Sequence, residues 1–222
     1  MQRINMLHVE TYRLEKQKIM IKECGEEMLE IPSVFPRFIP HPYLHVGAPY
    51  NDKSPFYLRS GVLARLHVAQ EKLSSLKAGY RLEIFDAYRP IEVQKYMIEY
   101  DTSRYSKEIA EMYWSPISDD VALSPPPHST GGALDLSIID ENSFELDMGT
   151  KIDEFVEAAQ SDFDGLNSTC RENRDLLFEV MSFAGFTQLP TEWWHFSYGD
   201  QIWAVDEADK TSLHVEAKYG LI

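Results

Sequence analysis

The chain is short of several things at once. Of its 222 residues only two are cysteines, Cys24 and Cys170, far apart and with no C-x-x-C pair. A disulfide framework is therefore not expected, and neither is a cysteine-held metal site. Positive charge is scarce as well, with 21 Lys and Arg against 36 Asp and Glu for a formal net charge of −15. Nucleic acid and anionic lipid both call for a basic face, so neither is an expected partner. No apolar run approaches the roughly 20 residues that span a bilayer. The stretch MQRINMLHVETYRLEKQKIM mixes charges throughout and has no apolar core followed by small residues. It does not read as a secretory signal, and the expected setting is the cytoplasm. Internal repeats and low-complexity tracts are lacking too. The acidic excess reads as a solvated surface, and the length suits one sizeable domain over 1–222.

What is present divides the chain unevenly. Residues 1–27 are charged and weakly periodic and read as a peripheral helical segment. Between Ile31 and Pro55 lie Pro32, Pro36, Pro40, Pro42, Pro49 and Pro55. That density forbids a regular helix and predicts an extended wrap, so 1–55 reads as a peripheral helical and proline-rich extension. Leu63, Leu66, Ala69, Leu73 and Leu76 then recur at helical spacing, with Gly79 as a stop. The aromatic-rich YRLEIFDAY (80–88) predicts a strand. Pro90 opens a helix to about Tyr100, and another is expected from Ser103 to Tyr113. Residues 115–132 are a loop, ALDLSIID (133–140) is a strand with one apolar face, and 143–149 is its expected hairpin partner. A helix follows over 172–184, then one or two strands within 186–199. Strands and helices do not alternate regularly, which favours α+β with a small, mostly antiparallel sheet flanked by helices.

Three stretches could carry chemistry. In PHSTGGALD (127–135), Gly131 and Gly132 permit a sharp turn that could bring His128 and Asp135 to one point. Imidazole and carboxylate are good zinc ligands, and a catalytic zinc takes three protein ligands, so His195 of TEWWHF (191–196) is a candidate third. Each residue also has a plain reading: a surface or hydrogen-bonded histidine, a turn-capping aspartate, a core histidine. In an ideal strand Glu192 and His195 would face opposite ways. Glu192 is therefore expected in the irregular approach to the strand after Pro190, with His195 in its first regular pairs. There Glu192 could reach a metal-bound water as a base, its apolar surroundings raising its pKa, or it could simply face solvent. In DAYRP (86–90), Arg89 is expected at the N-cap of the helix Pro90 opens, where a cation opposes the dipole. Its partner is Asp86, Glu92 or an oxyanion on a substrate. His8, His41, His45, His67 and His214 have no comparable setting and receive no role.

Taken in order, D-x-Y-R-P, H-x-x-G-x-A-x-D and E-W-W-H resemble the zinc D-alanyl-D-alanine dipeptidases, the family that includes the D,D-dipeptidases of vancomycin resistance. The likeness spans Asp86 to His195 and takes in M-G-T-x-x-D at Met148 to Asp153. It implies the D,D-peptidase fold, one Zn2+ per chain held by His128, Asp135 and His195, Glu192 as general base and then acid, and Arg89 stabilising the tetrahedral intermediate. It also implies Asp153 on the substrate's ammonium, where the plain alternative is an N-cap for a helix starting at Glu154. The implied reaction is hydrolysis of a small D,D-dipeptide to free D-amino acids. The alternatives are a D,D-carboxypeptidase acting on peptidoglycan stem peptides and a non-catalytic zinc-binding module. Pro126 stands where the family often has a serine, which puts the choice of dipeptide in question. Oligomeric state is left open. The tryptophans of E-W-W-H are expected to wall the reaction centre.

Overall fold

The computed structural model describes residues 13–106, 113–114 and 117–222. Its main sheet has four strands, β3 (Arg81–Asp86), β4 (Ala133–Ile139), β6 (His195–Ser197) and β5 (Thr187–Gln188), in that spatial order, with every pairing antiparallel. A separate ribbon pairs β1 (Met28–Glu30) with β2 (Tyr57–Arg59). Helix α1 (Ser60–Leu76) packs on β3 and on α3 (Ser168–Phe183), while α2 (Ile91–Thr102) follows β3 and α4 (Gln201–Thr211) follows β6. The result is the expected α+β arrangement of a small antiparallel sheet flanked by helices. Among the described residues no helix is long and apolar enough to cross a membrane.

Local chemistry explains most boundaries. Helix α1 buries Val62, Leu63, Leu66, Ala69 and Leu73, a stripe at helical spacing. It ends before Gly79, whose φ of +85° suits glycine. Helix α3 starts at Ser168, four residues before the expected 172, because Asn167 caps it: its Oδ1 accepts from Cys170 N at 2.9 Å. Strand β4 carries Leu134, Leu136 and Ile138 on one face and Asp135 and Ser137 on the other, and all seven of its residues are buried.

Four expectations change. The partner of β4 over 143–149 reduces to a bridge between Ile139 and Glu145. Residues 103–106 turn instead of continuing a helix, and 107–112 of that expected helix lie outside the described residues. Pro90, with ψ at 152°, is itself the N-cap of α2, so Arg89 lies one residue outside the helix. Finally, the proline-rich stretch does more than drape over the surface. Phe38 N bonds Ile84 O at 3.0 Å and Ile84 N bonds Pro36 O at 2.8 Å, which covers the open edge of β3. Ile31, Phe35, Tyr43 and Tyr50 from this stretch sit in the core at 2% exposure or less. Large aromatics buried so fully outweigh the irregular backbone that carries them.

Candidate metal centre

Sheet register assembles the site. Asp135 on β4 pairs with His195 on β6 and with Asp86 on β3, so three polar side chains stand abreast on one face. Asp86 reaches that face through a register shift between Ile84 and Asp86. Without it, Asp86 would share the apolar face of Ile84, two residues earlier. His128 comes from the helical turn Pro127–Thr130, which ends at Gly131 with φ of +71°. The next glycine has no room for a side chain: a Cβ at Gly132 would lie 2.8 Å from the Tyr198 carbonyl oxygen.

Donor atoms of His128, Asp135 and His195 all lie within 4.8 Å of one another, and all three residues are buried. His128 Nε2 is 3.2 Å from His195 Nδ1 and 3.3 Å from Asp135 Oδ2, while His195 Nδ1 is 3.1 Å from Asp135 Oδ1. The outward nitrogens are tied. His128 Nδ1 donates to Ala87 O at 2.7 Å, and His195 Nε2 donates to Ser197 Oγ at 3.2 Å. Ser197 in turn donates to Asp200 Oδ2 at 2.8 Å. Each ring thus offers its remaining nitrogen inward, the arrangement found at histidine metal ligands.

The surrounding charges fit a cation. Burial lowers the His195 pKa despite Asp135, which keeps the ring in the neutral form that ligates. Burial would raise Asp135, but His128 and His195 hold it far below the carboxylate range. Glu192 is pushed well above that range by burial first and then by Asp135 and Asp153. Asp153 is pushed up to about 7 by burial and then by Asp135, with Arg89 opposing. Two carboxyls held back from ionising mark an excess of negative charge that a divalent ion would relieve. The residues present therefore fit a metal ion, and two imidazoles with a carboxylate suit zinc.

Glu192 lies in a turn closed by His195 N to Glu192 O at 3.3 Å, just before His195 begins β6. Its Oε2 is 3.9 Å from His195 Nδ1. Arg89 is 4% exposed. Its Nε donates to Asp86 at 2.9 Å, one terminal nitrogen to Gln94 Oε1 at 3.0 Å, and the other to Tyr43 Oη at 3.1 Å and Asp135 Oδ2 at 3.4 Å. Of the partners expected for it, Asp86 is the one found. Asp153 caps no helix: the next helical turn, Glu157–Ala159, has Val156 at its N-cap. Instead Asp153 adopts φ of +59° and accepts from the Tyr43 hydroxyl at 2.7 Å, which links it to Arg89.

These groups line one recess of about 410 Å³, counting the part open to solvent. Its apolar wall is Tyr113, Trp114, Phe155, Leu189 and Pro127. Trp193 and Trp194 do not wall the centre as expected. Both are fully buried, and the Trp193 indole donates to Thr150 Oγ1 at 2.8 Å, so the turn sends Glu192 to the recess and the indoles to the core. Sequence reasoning missed Tyr43, Gln94, Ser197 and Asp200 altogether. It also missed Arg13, from the segment read as peripheral, which donates to the Trp114 carbonyl at 3.1 Å and opposes the upward shift of Glu192. Only folding brings Tyr43 and Arg13 near, whereas Ser197, two residues after His195 on one strand face, and Gln94, five after Arg89, lay within reach of local spacing.

A family described as D-ala-D-ala dipeptidase matches residues 40–216. The chain belongs to that family. It is a metallopeptidase. A D-alanyl-D-alanine dipeptidase of Synechocystis sp. is 35% identical over 230 residues, covering 90% of this chain and 93% of that protein. The enzyme of the same name from Escherichia coli K12 is 33% identical over 124 residues, 54% of this chain and 55% of that one. Among solved structures, a vancomycin-resistance D,D-pentapeptidase in complex with Zn(II) aligns over 90% of this chain and 96% of that chain, at 15% identity and a TM-score of 0.42.

Proposed function

We propose that this D,D-peptidase hydrolyses free D-alanyl-D-alanine with one zinc ion held by His128 Nε2, His195 Nδ1 and Asp135. The observation that carries the proposal is the convergence of these three donors beside a buried glutamate, with both imidazoles tied on their outer nitrogens. A zinc ion held there would supply Lewis acidity and lower the pKa of a bound water toward neutrality. Glu192 takes a proton from the attacking water at Oε2 and returns it to the leaving amine nitrogen. Arg89, tied in place by Asp86 and Gln94, presents its guanidinium to the carbonyl oxygen where negative charge builds. Asp153, braced by Tyr43, pairs with the substrate ammonium. Phe155, Tyr113 and Trp114 keep bulk water from the reacting amide, which strengthens each of these interactions.

The recess sets Asp153, Glu192 and Arg89 against walls of Tyr113, Trp114 and Phe155, and an acidic group for the ammonium so close to the reacting amide suits a dipeptide better than a polymer. The test is D-alanine release from D-Ala-D-Ala beside release from a pentapeptide stem, with metal content measured on the same preparation. Zinc near one per chain with preference for the dipeptide supports the proposal, and preference for the stem would replace it with a carboxypeptidase. Glu192→Gln should keep its metal and lose roughly 10²–10⁴ in kcat. Full activity in that variant would remove Glu192 as the base.

A further inference from the structure

Asp86 has no exposed surface, yet its carboxylate gathers hydrogen-bond partners from two parts of the chain. Oδ2 accepts from Arg89, at 2.9 Å from Nε and 2.7 Å from a terminal nitrogen. Oδ1 accepts from His41 Nε2 at 3.2 Å and from the Tyr50 hydroxyl at 3.1 Å. His41 and Tyr50 both come from the proline-rich stretch that covers the edge of β3. The His41 side chain is 2% exposed and ringed by Tyr43 and Phe56 at 5.4 Å, Tyr50 at 5.6 Å and Phe85 at 6.4 Å between centroids. Asp86 is the ring's one polar side-chain partner among the described residues, and Nδ1 has no partner among them. An apolar residue would fill such an aromatic box without burying a polar atom, so packing alone does not account for an imidazole here.

The geometry supplies a reason. Both Arg89 nitrogens meet the same oxygen, Oδ2, a contact that by itself leaves the carboxylate free to swing about that oxygen. If Asp86 were held only by Arg89, the pair could rotate together. Donors on Oδ1 from a separate segment fix the carboxylate plane, and with it the direction of the guanidinium edge that faces Asp135 and the recess. His128 is anchored independently, by Nδ1 to Ala87 O at 2.7 Å, whereas Asp86 lies 3.7 Å from that nitrogen. The influence of His41 therefore runs to Arg89 and reaches the metal ligands only through it, at its contact with Asp135.

We propose that His41 is a positioning residue for the hydrolysis, acting through Asp86 to hold the Arg89 guanidinium toward the reacting carbonyl. The inference rests on the role proposed above for Arg89, and His41 itself touches neither substrate nor metal ligand. A double-mutant cycle tests it. His41→Leu and His41→Gln are made alone and together with Arg89→Ala, and kcat, KM, metal content and melting temperature are measured with D-Ala-D-Ala. His41→Leu lowers kcat at least tenfold, with KM within twofold and metal retained. His41→Gln, whose side-chain amide can donate to Oδ1, recovers kcat to within threefold of the unaltered enzyme. In the Arg89→Ala background, His41→Leu causes no further loss. An equal loss with and without Arg89 overturns the inference, as does a fall in melting temperature with kcat within twofold. Should His41→Leu fail to fold, Tyr50→Phe removes the other Oδ1 donor. An Arg89-dependent loss of kcat there upholds the inference and an Arg89-independent one overturns it. A harmless Arg89→Ala would remove the role of Arg89 and this inference together, while dipeptide hydrolysis by the unaltered enzyme would leave the proposed function standing.

Discussion

Replacing Arg89 by alanine perturbs two quantities that can be measured apart. The guanidinium is buried, pairs with Asp86 and Asp135, and sits 4.8 Å from the ring centroids of both Tyr43 and Trp114. Burial alone would raise the Asp86 pKa, and Arg89 followed by His41 and His128 outweighs it and pulls the carboxyl below its usual value. Deleting the arginine leaves Asp86 fully buried without its guanidinium partner. Breaking a buried pair from one side costs about 3–5 kcal/mol. A domain with about 5–15 kcal/mol in hand remains folded but weakened. The rate effect is separate: loss of one oxyanion donor costs about 10²–10³ in kcat, or about 2.7–4 kcal/mol. Urea unfolding reads the first, D-alanine release under saturating substrate the second, and metal analysis guards both. Arg89→Lys keeps the charge but not the fork, so it should recover stability more than rate. Turnover within tenfold of the parent in metal-loaded Arg89→Ala would refute the assignment.

Other outcomes follow from the same geometry. Ser197→Ala removes the acceptor for His195 Nε2 and leaves Asp200 Oδ2 without its donor, so metal affinity or activity should fall about 10–100-fold. Zinc titration against a competing chelator measures this, and an unaltered affinity and rate would show that the relay does not orient His195. For Asp153 the sign runs from acid to base. Its carboxyl is pushed up to about 7 in the metal-free fold, against about 3.9 unfolded. The folded state then binds the proton more tightly, and metal-free protein should lose stability as pH rises from about 4 through about 7. Asp153→Asn should flatten that slope in urea midpoints taken with chelator at pH 5 and pH 8; parallel curves for parent and variant would contradict the assigned perturbation.

Local pattern made much of this molecule legible. The apolar stripe of α1, the stop at Gly79 and the alternation in β4 each depend on neighbours two to four residues apart, and such spacings are visible in a string of letters. The glycines after His128 signalled a sharp turn for the same reason. Where the pattern was read too simply, a cap or a register decided otherwise. Asn167 extends α3 backward, Pro90 displaces Arg89 from the cap, and the 192–195 turn buries the two tryptophans away from the recess.

By itself, then, the sequence determined the kinds of donor atom available and their order along the chain: His128, Asp135, Glu192 and His195, with Arg89 upstream. Only the tertiary structure decided that a register shift turns Asp86 onto their face and that the proline-rich stretch inserts His41, Tyr43 and Tyr50 behind Arg89. The physical reason is range. Periodicity and turn chemistry act over a few residues, whereas cross-strand register and buried polar pairing join groups 36 to 110 positions apart, and they are set by which faces the whole chain can bury together.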